Sequence, residues 1–450
     1  MALYTKQKNK LQLLLTNSDQ ATAHGGQLVV DALCRRFNLW QRLQAEPALD
    51  PRKRKGAGYT PAAIVAQLLF TLTSGGASLA DAERLGQDVV LMQLLGLTQG
   101  ADQTTLGEWL RAQTEASVLA LHQLNAALVD WACQQAKAAR WQHAGQVEVF
   151  FDDTEIEVYG PKFEGARLNY EGQRALSWQT LWYGPWLLDG ILDGAGDVSE
   201  HLPVLLREHQ PRWQGQASYF YADSGSSAGK FLNRIRAGGF TRWSVSYNKW
   251  TDKLDRLAAE LPESQWSAPL PAAQPPAQYT WVKHQPGECE QAQLFATVRW
   301  KNNGDLLWRY AYVACQPGEA DRPQAVFERH RLKGAKEQGF SEVLSGLDLH
   351  HPPCLDLRAN QAFYAIAMLA YNLLVTLKVL DLPDEAQSWR IQTLMRNLLT
   401  LPVSVSRHAR YTVARLCIPA GWLRWWRLFL AQWVPKRKVG RPVEEAVDSA

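Results

Sequence analysis

The chain has 450 residues, of which 46% are hydrophobic, and this is enough for two or three domains with sizeable cores. Its formal net charge is only +4, so the total charge indicates no particular partner. The six cysteines are scattered singly, without a C-x-x-C pair, which argues against a zinc ribbon or a disulfide framework.

Residues 1–145 are predicted to form a helical N-terminal domain. Thr60-Pro61 places an N-cap residue before a proline at the first helical position, and Ser78 has an acid, Asp81, three residues later, as in a capping box. Helical patterns follow over 89–95 and 104–136. A helix-turn-helix element and a plain bundle both fit this pattern. The apolar run at 11–15 is too short for a signal-peptide core, so we expect a cytoplasmic protein.

The pattern changes at residue 146, and residues 146–248 are predicted to begin an α/β domain. Runs rich in β-branched and aromatic residues predict strands over 147–151, 178–183, 186–192, 218–222 and 242–247. Helices are predicted over 199–207 and 227–237. Strands that alternate with helices favour an α/β fold.

Residues 249–324 are predicted to be a β insertion in this domain. Strands are expected over 278–283, 292–300 and 306–314, and Asn303-Gly304 is a hairpin signal between the last two. Helical patterns over 324–346 and 360–380 return to the first domain, which we expect to end with residues 325–380. The apolar stretch at 362–380 contains Asn372 and Lys378, which favours a buried helix over a membrane span.

Residues 381–450 are predicted to be a basic C-terminal segment. There is no Asp or Glu from Ala386 to Val443, whereas this stretch carries eleven Lys and Arg residues. A polyanionic partner would favour such an arrangement, because neutralising phosphates releases condensed counterions. A solvated basic face is the simpler alternative. Arg407, Arg410 and Arg415 are the candidates for phosphate contact.

Asp152 and Asp223 are the candidates for a catalytic site. Each directly follows a β-prone run, and functional groups in open α/β sheets gather at strand ends. Two carboxylates directed at one point repel each other unless a cation lies between them or one is protonated, and Mg²⁺ prefers such oxygen ligands. The simpler alternative is an ordinary turn aspartate. Asp153 competes with Asp152, but strand alternation points their side chains in opposite directions.

The neighbours of these aspartates resemble motifs of a known family. Phe151-Asp152-Asp153-Thr154, followed by Tyr159-Gly160, resembles the first acidic motif of bacterial DDE transposases of insertion-sequence family 1380, within the group founded by insertion sequence 4. Tyr221-Ala222-Asp223-Ser224-Gly225 is similar to the second motif. Gly238-Gly239 and the run that ends at Asn248-Lys249 keep the order seen in the family.

A third stretch resembles the family pattern Tyr-x-x-Arg-Gly-x-x-Glu, which is followed by a Lys seven residues after the Glu. The matching residues are His330-Arg331-Leu332-Lys333-Gly334-Ala335-Lys336-Glu337. Gly334 and Glu337 agree with the pattern, whereas His330 replaces Tyr, Lys333 replaces Arg and Leu344 replaces the later Lys. A basic residue at 333 retains a charge for phosphate contact, without the fork of Arg. Glu342 competes as the third acid, and a solvated helix carboxylate is the simpler interpretation of Glu337.

The resemblance covers residues 146–420 and implies a ribonuclease H-like α/β catalytic domain that contains the β insertion. The helical N-terminal domain and the basic C-terminal segment are then expected to bind DNA. The implied activity is DNA cleavage at the ends of a mobile element and strand transfer into a target. Asp152, Asp223 and Glu337 would be catalytic and would bind Mg²⁺, with Mn²⁺ as an alternative metal. His330, Lys333, Arg407, Arg410 and Arg415 would contact DNA.

The expected partner is double-stranded DNA, both as terminal inverted repeats and as target, bound by a homodimer or larger complex near the nucleoid. No membrane partner is expected. A non-catalytic DNA-binding protein descended from a transposase is the main alternative, since a fold can outlive its chemistry. A glycoside hydrolase is a distant third, suggested by nineteen Trp residues and paired acids, but the basic segment has no role there.

Overall fold

The computed structural model describes residues 20–52, 58–97, 99–169, 171–194, 199–269, 275–408 and 411–427, without the side chains of 335–338, 407, 408, 411 and 412. Its α-helices are α1 (Gln27–Arg36), α2 (Leu39–Ala45), α3 (Pro61–Thr73), α4 (Leu79–Gly86), α5 (Val89–Leu95), α6 (Gln103–Arg111), α7 (Glu115–Gln135), α8 (Leu202–His209), α9 (Gly229–Ala237), α10 (Asp252–Glu260), α11 (Pro323–Arg331), α12 (Lys333–Gly346), α13 (Leu357–Asp381) and α14 (Ile391–Leu394).

The strands lie in two sheets. They are β1 (Ala21–Thr22), β2 (Val147–Glu157), β3 (Arg167–Leu168), β4 (Arg174–Tyr183), β5 (Trp186–Gly194), β6 (Ser218–Ala222), β7 (Arg242–Tyr247), β8 (Ala277–His284), β9 (Gln293–Trp300), β10 (Arg309–Gln316), β11 (Val403–His408) and β12 (Tyr411–Leu416). The chain is therefore a mixed α/β protein in the part that the structure describes.

The first region is helical, as predicted, and two of its helices begin where the sequence signals lie. The Thr60 side chain accepts a hydrogen bond from the Ala63 N–H at the start of α3. Ser78 and Asp81 form the predicted capping box at the start of α4. The helical pattern predicted over 104–136 is present as two helices, because α6 ends at Arg111 and Thr114 caps α7 as a separate helix.

The large sheet has nine strands in the order β3-β4-β2-β6-β7-β10-β9-β8, and β5 pairs with β4 beside β3. Among the described strands of this sheet, only the pairs β2–β6 and β6–β7 are parallel, and the others are antiparallel. Strands β5, β4 and β2 thus form an antiparallel meander, and β6 and β7 continue the sheet in parallel with β2. The prediction that the first strand ends at 151 is wrong, because β2 continues to Glu157 along β4.

The three strands predicted for the insertion are present, but they do not form a separate sheet. Tyr312 to Gln316 of β10 pair antiparallel with Tyr247 to Trp243 of β7. Strands β10, β9 and β8 therefore extend the large sheet outward from β7. Helix α10, which the sequence pattern did not predict, precedes them. The single helix predicted over 324–346 is divided at Leu332 into α11 and α12.

Helix α13 is the centre of the main core, as the prediction of a buried helix requires. By length and composition this helix could cross a membrane, but 89% of its apolar window is buried inside the protein. It packs against β5 and against α3, α6 and α7 of the N-terminal region. Its Asn372 side chain donates to the Leu187 carbonyl and accepts from the Leu187 N–H of β5. The N-terminal helices therefore share one hydrophobic core with the sheet.

The second sheet joins the beginning and the end of the described chain. It has the order β1-β11-β12, with Ala21 opposite Ser404 and Val403 opposite Leu416. Trp389, which precedes β11, packs with Trp422 and Trp425, which follow β12, and the Trp389 and Trp425 rings are stacked at 5.1 Å. The three rings therefore contact one another, as is usual for Trp side chains, which are highly buried on average.

Candidate active site

Strands β2 and β6 bring Asp152 and Asp223 side by side. In their parallel pairing Phe151 lies opposite Ala222, and each aspartate is the next residue on its strand. Asp223 keeps an extended backbone (φ −81°, ψ 176°), so it continues the alternation of β6. Adjacent strands are about 4.8 Å apart and in-register neighbours share a face of the sheet. The two carboxylates therefore leave the same face of the sheet next to each other, where β6 ends beside the middle of β2.

Asp153 points to the opposite face. The Ser177 hydroxyl of β4 donates a hydrogen bond of 2.7 Å to its Oδ1, and the Asp153 N–H donates to Asp152 Oδ1 at 3.0 Å. Burial raises the pKa of Asp153 to about 6, against the lowering effect of the Ser177 hydrogen bond. Strand alternation thus separates Asp153 from the pair formed by Asp152 and Asp223.

Asp223 is paired with a buried ammonium group. Lys333 Nζ lies 3.1 Å from Asp223 Oδ1, and the lysine side chain is 10% exposed whereas the aspartate side chain is 54% exposed. Burial alone would raise the pKa of Asp223, but the hydrogen bond from the Ser224 N–H and the charge of Lys333 hold it below its usual value. The carboxylate is therefore ionised, and its surroundings favour a positive charge next to it.

His330, the first residue of the third motif, is enclosed between α11 and β7. Its Nδ1 is hydrogen-bonded to the Ser244 hydroxyl at 2.8 Å and its Nε2 to the Ser246 hydroxyl at 2.7 Å. Burial, followed by the nearby charge of Lys333, lowers the pKa of His330 to about 4. The neutral ring donates to one serine and accepts from the other. His330 is only 8% exposed, so this geometry does not support its predicted contact with DNA, which stays a prediction.

Glu337 lies on α12, one turn after Lys333 and one turn before Phe340, and its side chain is outside the described residues. Phe340 packs against Trp178 and Trp182 of β4. Trp178 and Trp182 flank Thr180, which lies opposite Asp152 in the pairing of β4 with β2. The backbone thus carries position 337 across the face of the sheet from which Asp152 projects.

The competing acid, Glu342, lies in a different environment on α12. Burial raises its pKa, and the charges of Lys378 on α13 and Arg390 counteract this. Leu344, which stands where the family carries Lys, is buried at 7% exposure. The second half of α12 therefore faces α13 and the segment after it rather than the pair of aspartates.

The predicted C-terminal arginines belong to the second sheet, apart from the strands that carry the acids. Arg415 lies on β12, is exposed, and donates a 2.7 Å hydrogen bond to the Ser406 hydroxyl of β11. Arg407 lies on β11, with its side chain outside the described residues, and Arg410 falls outside them altogether. Their contact with DNA stays a prediction.

A buried network beneath the site was not predicted. Tyr221 of β6 donates a 2.9 Å hydrogen bond to Glu148 Oε1 of β2 and accepts one of 2.6 Å from Arg329 Nε of α11. Burial, together with the Glu148 charge, raises the pKa of Tyr221, so its hydroxyl remains protonated. Glu148 was the sequence signal for this network. It is a charged residue inside an apolar, β-prone run, and a buried charge needs a partner.

A second buried cluster lies on β5 and α8. Asp189 accepts hydrogen bonds from His122 Nδ1 at 2.5 Å and His209 Nε2 at 2.6 Å. Arg212 can only donate, so its 2.8 Å contact makes His209 Nδ1 the acceptor and His209 Nε2 the protonated nitrogen. Asp189, Glu208 and His209 have metal-binding spacing, but the hydrogen bonds already satisfy the buried members. This cluster joins helix α7 to the sheet.

The described residues therefore combine two carboxylates on neighbouring parallel strands, the Lys333 ammonium beside one of them, and helix α12, on which Glu337 lies. The chain matches the family described as transposase DDE domain group 1 over residues 5–430. No curated protein matches it. Since the match spans nearly the whole chain, the protein belongs to this family of DDE-domain transposases. Proteins of this family act on DNA and generally use a divalent metal ion.

Proposed function

We propose that this protein is a transposase that cleaves DNA at the ends of its element in the presence of Mg²⁺ and transfers the cut strand to target DNA. Asp152, Asp223 and Glu337 are the proposed metal ligands and catalytic residues. The observation that carries the proposal is the register of β2 and β6, which places two neighbouring carboxylates on one face of the sheet, beside the end of β6. Open α/β sheets place functional groups at strand ends, and Asp223 directly follows the end of β6.

The strand order supports the ribonuclease H-like core within this family. An antiparallel meander of β5, β4 and β2 is followed by two strands, β6 and β7, that run parallel to β2. The first acid then lies on the central strand β2 and the second directly after β6. The proposed relationship to insertion-sequence family 1380 rests on the three motifs around Asp152, Asp223 and Glu337.

The side chains fit a hard divalent cation. Carboxylate oxygens are the ligands that Mg²⁺ and Mn²⁺ prefer. Asp223 already pairs with a cation, the Lys333 ammonium at 3.1 Å, which a bound metal ion would displace. Bound Mg²⁺ would supply the Lewis acidity that activates a water or a DNA 3′-hydroxyl and stabilises the leaving oxygen. Lys333 is then available to a DNA phosphate next to the reacting bond.

DNA binding is proposed to extend over the acid-free C-terminal segment. Arg415 projects from the exposed side of β12, and the segment around it carries positive charge without a single acid from Ala386 to Val443. Such a surface binds phosphates irrespective of sequence. We further propose that two or more copies assemble on the two element ends and that the protein acts on the bacterial nucleoid in the cytoplasm.

The test uses the full chain and a supercoiled plasmid that carries the coding sequence with its flanking genomic DNA. Wild-type protein should nick and release the element in Mg²⁺ or Mn²⁺. Asp152→Asn, Asp223→Asn and Glu337→Gln should each abolish cleavage while DNA binding in a gel-shift assay persists. Cleavage by any of these variants at the wild-type rate would remove that residue from the ligand set.

Two matched controls separate the proposed ligands from their neighbours. Asp153→Asn makes the same chemical change as Asp152→Asn, but on the opposite face of β2, and should retain cleavage. Glu342→Gln makes the same change as Glu337→Gln at the end of α12 that faces Lys378, and should also retain it. Loss of cleavage in Glu342→Gln together with retention in Glu337→Gln would reassign the third acid.

A non-catalytic DNA-binding protein is the second candidate, and one observation favours it. Two positions of the third motif that family members fill with Tyr and Lys are here His330 and Leu344, and both side chains are buried. A protein that had lost its chemistry would bind the flanking DNA in the gel-shift assay but leave the plasmid intact at every Mg²⁺ and Mn²⁺ concentration.

A further inference from the structure

Arg329 on α11 links this helix to the two strands that carry the aspartates. Its Nε donates to the Tyr221 hydroxyl at 2.6 Å, and its Nη2 lies 3.3 Å from Glu148 Oε1. The guanidinium carbon lies 4.9 Å from the centre of the Tyr219 ring, in cation–π contact. Arg329 and Glu148 have side-chain exposures of 17% and 6%, so the ion pair is largely removed from solvent.

These contacts lie directly upstream of the candidate metal ligands on the same face of the sheet. Glu148 precedes Asp152 by four residues on β2, and Tyr221 precedes Asp223 by two on β6. Even spacing along a strand keeps side chains on one face. Arg329 therefore contacts β2 and β6 on the face from which Asp152 and Asp223 project. Its contacts on the two strands lie two to four residues before the aspartates.

The next residue of α11 extends the attachment to a third strand. His330 bonds to Ser244 and Ser246 of β7, so consecutive residues tie α11 to β2, β6 and β7. Only Leu332 separates α11 from α12, whose first residue is Lys333. The start of α12 is thus fixed relative to the strands through α11, and Lys333 reaches Asp223 from there.

The network is directional, and Lys at 329 would not reproduce it. The Tyr221 hydroxyl donates to Glu148 and accepts from Arg329, which uses both of its functions. The planar guanidinium reaches the tyrosine and the carboxylate at once through different nitrogens, whereas an ammonium group is a point charge without that fork. Arg329 therefore fixes where α11 lies against the sheet, in addition to neutralising the Glu148 charge.

We propose that Arg329 is a positioning residue: through Glu148 and Tyr221 it sets where α12, with Lys333 and Glu337, stands relative to Asp152 and Asp223. The inference rests on the proposed function for its consequence in catalysis, but its structural part is independent of activity. Reacting groups must be held closely, since a displacement of about 1 Å costs on the order of 100-fold in rate.

The test needs a variant that loosens α11 without leaving a buried charge. Arg329→Met alone strands the Glu148 carboxylate, which destabilises the fold, so the informative protein is the double variant Glu148→Gln/Arg329→Met. Tyr221→Phe is a second, milder variant that keeps the ring and removes both hydrogen bonds. Arg331→Met, an exposed arginine two residues further along α11, is the matched control.

Two measurements are made on these proteins. Hydrogen exchange of the free protein should be faster at the amides of residues 333–346 in the double variant and in Tyr221→Phe, and unchanged in Arg331→Met. In the plasmid assay the double variant should cleave about 10-fold to 100-fold more slowly than the wild type. It should need a higher Mg²⁺ concentration for half-maximal cleavage, and its affinity for DNA should be unchanged. The single variant Arg329→Lys should also cleave more slowly than the wild type, because an ammonium group cannot bond to Tyr221 and Glu148 in the way that the planar guanidinium does.

The outcomes separate this inference from the proposed function. If the wild type does not cleave, the proposed function fails, while faster exchange in α12 still supports the positioning role. Wild-type exchange in α12 in either variant overturns the inference, as does wild-type cleavage by a folded double variant. A uniform rise in exchange over the whole chain also overturns it, since that reports general destabilisation.

Discussion

Replacing Lys333 by Met should strengthen metal binding at the aspartate pair. The Lys333 ammonium lies 3.1 Å from Asp223 Oδ1, and a metal ion at that carboxylate would have to displace or repel it. Because the Asp223 side chain is 54% exposed, a water-like dielectric is appropriate. Two unit charges at this separation then interact by about 1.3 kcal/mol, which corresponds to a roughly tenfold lower apparent dissociation constant in the variant.

The assay is a titration of the metal-free protein with Mn²⁺, in which the free ion is followed by electron paramagnetic resonance. Lys283→Met, which removes an exposed lysine of β8, is the matched control and should bind Mn²⁺ like the wild type. In an Asp223→Asn background the effect of Lys333→Met should disappear, since the two residues form one interaction. Equal or weaker Mn²⁺ binding by Lys333→Met would refute the competition between lysine and metal.

Three further predictions concern DNA binding and stability. Alanine at the three C-terminal arginines should reduce the slope of log affinity against log salt by about 0.9 for each phosphate that is no longer neutralised, measured by fluorescence anisotropy; an unchanged slope excludes them from the DNA surface. Asn372→Leu removes the acceptor of the Leu187 N–H of β5 and should lower the free energy of unfolding in urea by about 1–3 kcal/mol. Asp189→Asn should cost about 3–5 kcal/mol at neutral pH. Burial opposes the low pKa of Asp189, but the charge of His122 and the hydrogen bonds from His122 and His209 hold it far below its unfolded value. The contribution of Asp189 is then complete above about pH 4 and declines below it, so the difference from the wild type should shrink in acid; a constant difference contradicts this.

The strands next to the site were predictable where local propensity and pairing agree. Residues 218–222 and 242–247 are apolar, β-prone runs bounded by turn residues, and β6 and β7 have these bounds. In β2 the prediction stopped at Asp152, because Asp and Glu disfavour strands in isolation. Pairing with β4 carries the strand on to Glu157, since tertiary hydrogen bonds outweigh intrinsic preference.

What joins distant parts of the chain was not predictable. The sequence indicated three strands after residue 276 but not that β10 would pair with β7 and enlarge the main sheet. The buried set of Arg329, Glu148 and Tyr221 comes from three separate elements, and no local pattern relates them. The proximity of Asp152 to Asp223 was anticipated because both follow β-prone runs, although only Asp223 lies at the end of a strand and Asp152 is inside β2.

Helix α13 has a consequence for synthesis of the protein. The apolar faces of α3 and α7 are covered by a helix that begins only at Leu357, so their partner emerges long after they do. At about 5–20 residues per second, the ribosome needs roughly 10–45 s to travel from the end of α7 to the start of α13. During that interval the nascent N-terminal helices expose the face that α13 later covers. Slower translation would prolong this exposure, so the yield of folded protein should depend on the speed of elongation through the sheet.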